Sequence, residues 1–241
     1  MIHLQNVCYA YGGRPALADV TLEIGRGESV ALLGANGSGK STLLKLLNGL
    51  LEPTGGTYTF DGEVISRKRL RDAAFSKGFH AKIGFVFQNS DTQLFCPTVY
   101  DEVAFAPRQM GLPEGEVKRR VDDLLALLGI AGFGELVPYH LSGGEQKKVA
   151  LAAELAKGPS VLTLDEWAAG LDPRTERNIA GFLMKLGAAG ATLIMATHDL
   201  EMAKTLTSRA VIFSEEHRVI ADLPSARLLD DLPLLRRANL I

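Results

Sequence analysis

One glycine-rich segment carries the residue types that bind a phosphate chain. Residues 34–41 read Gly-Ala-Asn-Gly-Ser-Gly-Lys-Ser, the GxxxxGK[ST] pattern, and they lie between an apolar run and a helical pattern. Glycines let the backbone curl so that its N–H groups converge on phosphate oxygens, and the following helix N-terminus adds partial positive charge. We expect Lys40 to reach the β- and γ-phosphates and the Ser41 hydroxyl to bind Mg²⁺. The predicted phosphate-binding residues are Gly34, Asn36, Gly37, Ser38, Gly39, Lys40, Ser41 and Thr42.

Two acidic residues follow an apolar run at residues 161–164. They are Asp165 and Glu166, and the carboxyl ends of buried strands are where open α/β sheets place ligand sites. Asp165 is expected to hold Mg²⁺ through water. Glu166 is expected to polarise an attacking water as general base. Many strands end in acids, so it is the preceding phosphate loop that makes this interpretation strong.

A second glycine-containing segment precedes a predicted helix over residues 146–157. Residues 141–146 read Leu-Ser-Gly-Gly-Glu-Gln, in which Ser142 and Glu145 fit the S-x-x-E capping box. Capping does not explain the adjacent Gly143 and Gly144, because glycines are poor helix formers. Their exposed N–H groups indicate a place where a second anion could approach.

Short β-rich runs alternate with helical patterns along the chain, which predicts an α/β architecture. Several predicted strands are continuous apolar runs, as is typical of parallel strands buried on both faces. Alternating segments at residues 20–24 and 57–60 predict an antiparallel sheet with one solvated face. The other predicted strands are residues 3–9, 29–33, 83–87, 161–164, 193–196 and 210–214.

The middle of the chain reads as helical. Residues 114–128 form one apolar helical stripe, and Gly129 is a plausible stop. The stripe consists of Val117, Val121, Leu124, Leu125 and Leu128. We therefore predict a helical subdomain at 89–158 inserted into a nucleotide-binding core formed by 1–88 and 159–223. Residues 224–241 are predicted as a short helical tail, with one amphipathic helix over 225–235.

Composition limits the classes of protein that fit. The chain has 241 residues, 46% hydrophobic and 22% charged, which is ordinary for a folded globular protein. A net charge of −2 gives no indication of nucleic-acid binding. The apolar stretches are too short to span a bilayer, and the start lacks signal-peptide features, so a soluble cytoplasmic chain is expected. Cys8 and Cys96 form no CxxC pair, which argues against a disulfide scaffold or zinc site.

With Leu-Ser-Gly-Gly-Glu at 141–145, the chain resembles the ATP-binding cassette family, the ATPase subunits of ABC transporters, over about residues 1–225. The resemblance implies a P-loop NTPase core of the ABC-ATPase type, an α/β fold with an antiparallel β subdomain and an inserted α-helical subdomain. It implies ATP and Mg²⁺ as ligands and hydrolysis of ATP as the reaction. It also implies a head-to-tail homodimer in which each phosphate loop faces Ser142, Gly143 and Gly144 of the partner subunit across the γ-phosphate.

Other positions match the family one by one. The resemblance implies that Tyr11 stacks on adenine and that Gln88 contacts Mg²⁺ and links the core to the helical subdomain. It implies that Asp172, in Ala-Gly-Leu-Asp, lies in a loop touching the partner subunit and its nucleotide. His198 matches the histidine that senses the γ-phosphate. The implied catalytic set is Glu166, His198, Lys40 and Gln88, and the implied Mg²⁺ ligands are Ser41, Gln88 and Asp165.

Two positions depart from the family pattern. Glu145 replaces the usual glutamine of the signature. Trp167 and Ala168 stand where the family usually has a proline and a small or hydroxylated residue. Because Asp165 and Glu166 are both present, hydrolysis is still expected. The large indole puts the setting of the following loop, and hence the turnover rate, in question.

Residues 84–95 and 98–105 resemble the energy-coupling factor (ECF) group, whose ATPases energise bacterial uptake of vitamins and of cobalt or nickel ions. Gln93 and the Val-x-x-Glu-Val-Ala-Phe run carry this resemblance. It implies that residues 88–105 pack against coupling helices of integral membrane subunits, with the chain peripheral at the cytoplasmic side of the membrane. A single ATPase that occupies both positions of a homodimer is typical of CbiO-like importers. The resemblance therefore favours a cobalt or nickel importer over a vitamin importer, for example one for biotin.

Three other classes of cassette protein fit the sequence less well. Members that organise DNA insert long coiled coils before the signature, whereas the interval from Gln88 to Leu141 is short and lacks sustained heptads. Members that act on ribosomes usually fuse two cassettes, and this chain has one. A nucleotide-binding module without hydrolysis is opposed by Glu166 and His198. We therefore expect a transporter ATPase with no nucleic-acid partner.

Overall fold

The computed structural model describes the backbone of residues 1–241 and every side chain except those of Asp91 and Leu229. The strands are β1 (Ile2–Tyr11), β2 (Arg14–Ile24), β3 (Ser29–Leu33), β4 (Gly55–Phe60), β5 (Glu63–Val64), β6 (Ile83–Val86), β7 (Val161–Asp165), β8 (Thr192–Ala196), β9 (Arg209–Phe213) and β10 (Val219–Pro224). The α-helices are α1 (Lys40–Leu47), α2 (Arg67–Leu70), α3 (Ala73–Lys82), α4 (Val99–Gln109), α5 (Glu114–Leu127), α6 (Gly143–Leu155), α7 (Pro173–Ala188), α8 (Leu200–Leu206), α9 (Ser225–Leu229) and α10 (Leu232–Arg237).

The chain divides into two compact units. The first comprises Met1–His80 and Gly187–Ile241, and the second comprises Ala81–Leu186. Among the described residues, none of the helices combines the length and the apolar character that crossing a bilayer requires.

The first unit contains an antiparallel sheet in the order β2-β1-β4-β5. Ile2 stands opposite Ile24 on one side and Phe60 on the other, and all three side chains are buried. The next residue along β1, His3, is exposed, because successive side chains of a strand point to opposite faces. The predicted antiparallel sheet with one solvated face is confirmed.

The same unit contains β3 between two parallel neighbours. Leu32 of β3 pairs with Ala196 of β8 on one side and with Val211 of β9 on the other. All of β8 and nearly all of β3 and β9 are buried, which is why these strands are continuous apolar runs. Since parallel strands end at the same edge of a sheet, the loops after β3 and β8 leave from neighbouring positions.

The second unit pairs β6 with β7 in parallel and adds the helices α4, α5 and α6. The helix predicted over 114–128 is α5, with Val117, Val121 and Leu125 buried on its apolar stripe. The predicted stop is confirmed, because Gly129 has a φ of +68° and a Schellman arrangement follows. In it the N–H of Ile130 donates to the Leu125 carbonyl at 2.8 Å.

Two predicted helices differ from the structure. The single amphipathic helix expected over 225–235 is wrong, since α9 and α10 are separate helices. The break has a local cause: the Asp231 side chain accepts the Leu234 N–H at 3.0 Å and starts a new helix, with Pro233 in its first turn. Helix α6 begins at Gly143 rather than at Gln146, so the two signature glycines form its first turn.

Candidate functional site

Glycines shape the loop between β3 and α1 in the first unit. Gly34 and Gly39 have φ values of +149° and +112°, which residues with a side chain rarely adopt. A Cβ atom on Gly39 would lie 2.3 Å from the carbonyl oxygen of Ala16, and one on Gly34 would lie 2.6 Å from Ser38 Oγ. Gly37, with a φ of +83°, instead faces open space. The loop backbone is therefore set in a conformation that glycine alone accommodates.

The buried polar groups of this loop are suited to phosphate. Lys40 is buried at the start of α1, and its Nζ donates to the carbonyl oxygens of Gly34 at 2.7 Å and Ala35 at 3.0 Å. Ser38 is 1% exposed, and its Oγ has no hydrogen-bond partner among the described residues. A buried ammonium beside a buried hydroxyl in need of a partner is a donor set that matches phosphate oxygens.

His198 lies at the same sheet edge as the phosphate loop. It follows β8, where the N–H of Thr197 donates to the Leu32 carbonyl of β3 at 3.2 Å. The next residue, Asp199, caps α8 by accepting the Met202 N–H at 2.9 Å. His198 is thereby fixed between a strand end and a helix cap, with its side chain exposed. The first unit thus gathers His198 and the residues of the loop at one edge.

Tyr11 is the last residue of β1. Its ring is exposed, and it makes an edge-to-face contact with Tyr9 at a centroid distance of 4.8 Å. An exposed ring steadied by a second aromatic side chain presents a face on which a nucleobase can stack.

In the second unit, Asp165 ends β7 as a buried carboxylate. Glu166 follows with a φ of +44°, a left-handed conformation that is uncommon for a residue with a side chain. The Lys147 ammonium of α6 donates to the Glu166 carbonyl at 3.2 Å and to the Ala169 carbonyl at 2.8 Å. The turn that begins at Glu166, directly after Asp165, is therefore attached to the helix that begins at the signature glycines.

The predicted capping box of the signature is confirmed. The Glu145 carboxylate accepts the Ser142 N–H at 2.8 Å and the Ser142 hydroxyl at 2.7 Å, while the Glu145 N–H donates to Ser142 Oγ at 3.4 Å. These bonds from Ser142 lower the pKa of the Glu145 carboxyl below its usual range. The cap leaves Gly143 exposed and Gly144 half-exposed in the first turn of the helix.

The signature and the loop after Glu166 share one cavity of about 360 Å³. It is lined by Ser142, Gly143, Gly144, Glu145, Lys148, Gly170, Asp172 and Thr175. The Asp172 carboxylate accepts the N–H groups of Arg174 at 2.9 Å and Thr175 at 3.0 Å, and the bonds from Thr175 contribute most to lowering the pKa of Asp172. The second unit therefore brings the signature residues and Asp172 together.

Gln88 follows β6 and is exposed. The second glutamine of this segment, Gln93, is bound into the unit: its Oε1 accepts the Phe87 N–H at 3.2 Å, and its Nε2 donates to the Phe85 carbonyl at 3.0 Å. Nε2 also donates to Glu154 of α6 at 3.2 Å, and Glu154 accepts the Phe85 N–H at 2.9 Å. The segment after β6 is thus hydrogen-bonded to the helix that begins at the signature.

Two exposed aromatic side chains lie further along this segment. Phe95 is 67% exposed and Phe105 is 43% exposed, and their rings meet edge to face at 5.0 Å. The buried Glu102 carboxylate accepts the N–H groups of Phe95 and Cys96, and burial together with Glu102 raises the pKa of the Cys96 thiol to about 11. A pair of exposed aromatic rings, one on a fixed loop and one on α4, is typical of a protein-binding surface.

The sequence patterns do not identify Lys147, Glu154 or Glu102 as residues that organise the site. A signal for Lys147 exists, because it stands three and four positions before the buried Ala150 and Leu151. That spacing places a lysine on the buried face of a helix. The carboxylate of Glu154 binds a backbone group distant in sequence, and that of Glu102 binds backbone groups six and seven positions earlier, which matches no helical or capping pattern, so neither leaves a local signal.

Comparison with known proteins places the chain in a family. The model of the family described as ABC transporter matches residues 17–169. The nickel import ATP-binding protein LarO of Lactiplantibacillus plantarum is 46% identical, over 100% of this chain and 99% of that protein. The energy-coupling factor transporter ATP-binding protein EcfA of Methanothermobacter thermautotrophicus is 41% identical, over 100% of this chain and 76% of that protein.

Among solved structures, cbiO1 from Clostridium perfringens, described as part of the ABC transporter complex cbiONQ, matches with a TM-score of 0.82. It is 36% identical, and the match covers 99% of this chain and 94% of that one. These comparisons confirm the predicted fold class and the predicted ATPase activity. The chain therefore belongs to the ABC transporter family, as an ATPase subunit of the energy-coupling factor type that resembles CbiO.

Proposed function

We propose that this chain is the ATPase of an importer for a divalent metal ion, nickel or cobalt. The observation that carries the proposal is the 46% identity, over the whole chain, to a protein named as a nickel import ATP-binding protein. The likeness to cbiO1 over 99% of the chain gives further support. An ATPase of this type does not itself bind the transported ion, so the cargo is a substrate of its partner subunits.

The first unit supplies the groups that bind ATP. The loop from Gly34 to Thr42 receives the phosphates with backbone N–H groups at a helix N-terminus. Lys40 neutralises charge on the β- and γ-phosphates, and the buried Ser38 hydroxyl gains the partner that it lacks. Tyr11 stacks on the adenine, and His198 senses the γ-phosphate from the neighbouring strand end.

The hydroxyl of Ser41, the amide oxygen of Gln88 and the carboxylate of Asp165 are oxygen donors, the kind that Mg²⁺ prefers, so they fit the ion that the family implies. When bound, the ion would supply positive charge that stabilises negative charge on the phosphates. Glu166 accepts the proton of the attacking water as general base.

The active assembly is a head-to-tail dimer of this chain. Ser142, Gly143 and Gly144 of one subunit cover the nucleotide bound by the other, with Asp172 beside them in the same cavity. The exposed first turn of α6 supplies N–H groups to the γ-phosphate. Closing this interface excludes water and strengthens each phosphate contact.

The membrane partners bind residues 88–105 at the cytoplasmic side of the membrane. Phe95 and Phe105 provide an exposed apolar contact, and Glu102 fixes the loop that carries Phe95. Gln93 and Glu154 connect this surface to the signature helix. A change at the nucleotide therefore reaches the membrane subunits through hydrogen bonds within the second unit.

The experiment is to purify the intact membrane complex through a tag on this chain and to reconstitute it in vesicles. ATP-dependent uptake of radiolabelled nickel or cobalt is the expected result, and it should disappear in a complex with Lys40→Ala. Uptake of biotin or another vitamin without metal uptake would contradict the metal assignment. Recovery of nucleic acid or ribosomal subunits in place of membrane proteins would contradict the transporter assignment.

A further inference from the structure

We propose that Lys147 is a positioning residue for hydrolysis, which fixes the turn carrying Glu166 and joins that turn to the signature. The inference rests on the proposed role of Glu166 as general base. It adds a residue that touches neither the nucleotide nor the water and acts through the backbone of the base.

The contacts of Lys147 all point to this turn. Lys147 is 6% exposed, and its Nζ donates to the carbonyl oxygens of Glu166 at 3.2 Å and Ala169 at 2.8 Å. Glu166 and Ala169 are the first and last residues of a four-residue turn, which the Ala169 N–H closes by donating to the Glu166 carbonyl at 3.1 Å. One ammonium therefore fixes both ends of the turn.

The conformation of Glu166 requires such a support. A φ of +44° is unfavourable for a residue with a side chain and persists only where the surroundings enforce it. The Glu166 carbonyl receives two N–H donors, from Lys147 and from Ala169, and both favour the observed direction of the peptide. Without the ammonium, the backbone of Glu166 is freer to return to an ordinary conformation and to carry its carboxylate away.

Packing alone does not explain a lysine at this position. Burial lowers the pKa of the Lys147 ammonium, and the nearby negative charge of Glu166 opposes that shift. A methionine would fill a similar volume without the cost of burying a charge. The role of the Lys147 ammonium is therefore to bind the carbonyl oxygens of Glu166 and Ala169.

The position of Lys147 along α6 gives the contact a second consequence. Lys147 follows Gly144 by three residues and Gly143 by four, so all three lie on one face of the first turns. A helix moves as a rigid body, so a nucleotide that draws in the signature glycines of its partner also moves Lys147 and the turn attached to it. The signature and the general base of one subunit thus respond together.

The test compares Lys147→Met with Lys147→Gln, which keeps an N–H donor without the charge, in the purified full chain. Lys157→Met is the matched control: Lys157 also pairs with a carboxylate and donates to a backbone carbonyl, that of Ile83 at 3.3 Å, but away from Glu166. Steady-state ATP hydrolysis gives kcat and KM, thermal unfolding gives Tm, and size-exclusion chromatography with ATP gives the dimer.

For Lys147→Met we expect kcat to fall about 10- to 100-fold, as misplacement of a reacting group by about 1 Å does, with KM for ATP and the ATP-dependent dimer unchanged. Lys147→Gln should recover part of kcat, and Lys157→Met should keep the parental kcat. Adding Lys147→Met to Glu166→Gln should cause no further loss, because both act on one group.

A parental kcat in Lys147→Met would overturn the inference while leaving the proposed function intact. So would equal losses of kcat and Tm in Lys147→Met, Lys147→Gln and Lys157→Met, because they would assign Lys147 a purely structural role. Parental hydrolysis in Glu166→Gln alone would instead overturn the proposed role of Glu166.

Discussion

The carboxylate of Glu102 lies 2.8 Å from the backbone nitrogen of Phe95 and accepts its N–H. The same oxygen accepts the N–H of Cys96 at 2.7 Å, so a single side chain of α4 satisfies two consecutive backbone donors. This relationship fixes the loop that presents Phe95 next to Phe105. It connects a glutamate of the ECF-like run to the surface that we assign to the membrane partner.

Glu102→Ala should separate hydrolysis from partner binding. Removing a buried charged acceptor leaves two N–H groups without their partner and should lower the free energy of unfolding by about 2–3 kcal/mol. ATP hydrolysis by the isolated chain should stay within about twofold of the parent at a temperature where both are folded. Co-purification with the membrane subunits should fall. Urea unfolding, ATPase assays and affinity purification measure the three quantities.

The control for that experiment is Glu102→Gln, whose amide oxygen still accepts a hydrogen bond. It should lose less stability than Glu102→Ala and retain more of the complex. If Glu102→Ala assembles with its partners as well as the parent does, the Phe95 loop is not part of the contact.

The capping box of the signature predicts a dependence of stability on pH. Because the pKa of Glu145 is lower in the folded chain than in the unfolded one, its ionised form stabilises the fold above its ordinary pKa of about 4.3. That contribution disappears as the pH falls through the lowered pKa. Glu145→Gln should therefore be less stable than the parent by about 0.3–1 kcal/mol near neutral pH, with the difference vanishing once the pH lies below the lowered pKa of Glu145.

Urea unfolding of the parent and of Glu145→Gln across this pH range checks the prediction. A difference that stays constant as the pH falls through the acidic range in which carboxyl groups titrate would show that the Glu145 charge does not contribute through the cap. Glutamine also completes a capping box, so the pair isolates the charge from the hydrogen bond.

Two substitutions of Trp167 should differ in their effect on the free energy of unfolding. The indole is 2% exposed, and its Nε1 has no hydrogen-bond partner among the described residues. Trp167→Ala should lower the free energy of unfolding by about 3–5 kcal/mol, because it opens a large cavity. Trp167→Phe removes volume but also removes an unsatisfied donor that costs about 1–3 kcal/mol, so it should lie close to the parent.

Denaturant unfolding of the two Trp167 variants gives both values. Equal destabilisation by Phe and Ala would indicate that the indole N–H makes a bond that stabilises the fold. The turnover of Trp167→Phe also addresses whether the indole, in place of the proline usual in the family, changes the rate.

The motifs that bind through the backbone were predictable from sequence. The phosphate loop needs glycines at fixed spacing, because a Cβ atom at Gly39 would collide with Ala16. This spacing is visible within one short segment of the sequence. The capping box of Ser142 and Glu145 and the stop at Gly129 are likewise local patterns. Buried parallel strands such as β8 were recognisable from their continuous apolar residues.

Features that depend on contacts distant in sequence were not predictable. Lys147 reaches carbonyl groups about 20 residues away, and Glu154 reaches Phe85 from another element, so neither bond has a sequence signature. The prediction of a single helix over residues 225–235 was wrong for a different reason. The leucines of this segment fit one helical stripe, but the Asp231 cap and Pro233 outweigh that periodicity and start a new helix.

We propose that Glu166 performs hydrolysis in a site completed by a second copy of the chain. Steady-state ATP hydrolysis by Glu166→Gln tests this role, with the oligomeric state followed in the same samples by size-exclusion chromatography. Hydrolysis should nearly disappear, while ATP converts the chain into a stable dimer. Hydrolysis at the parental rate, or a chain that stays monomeric with ATP, would contradict it.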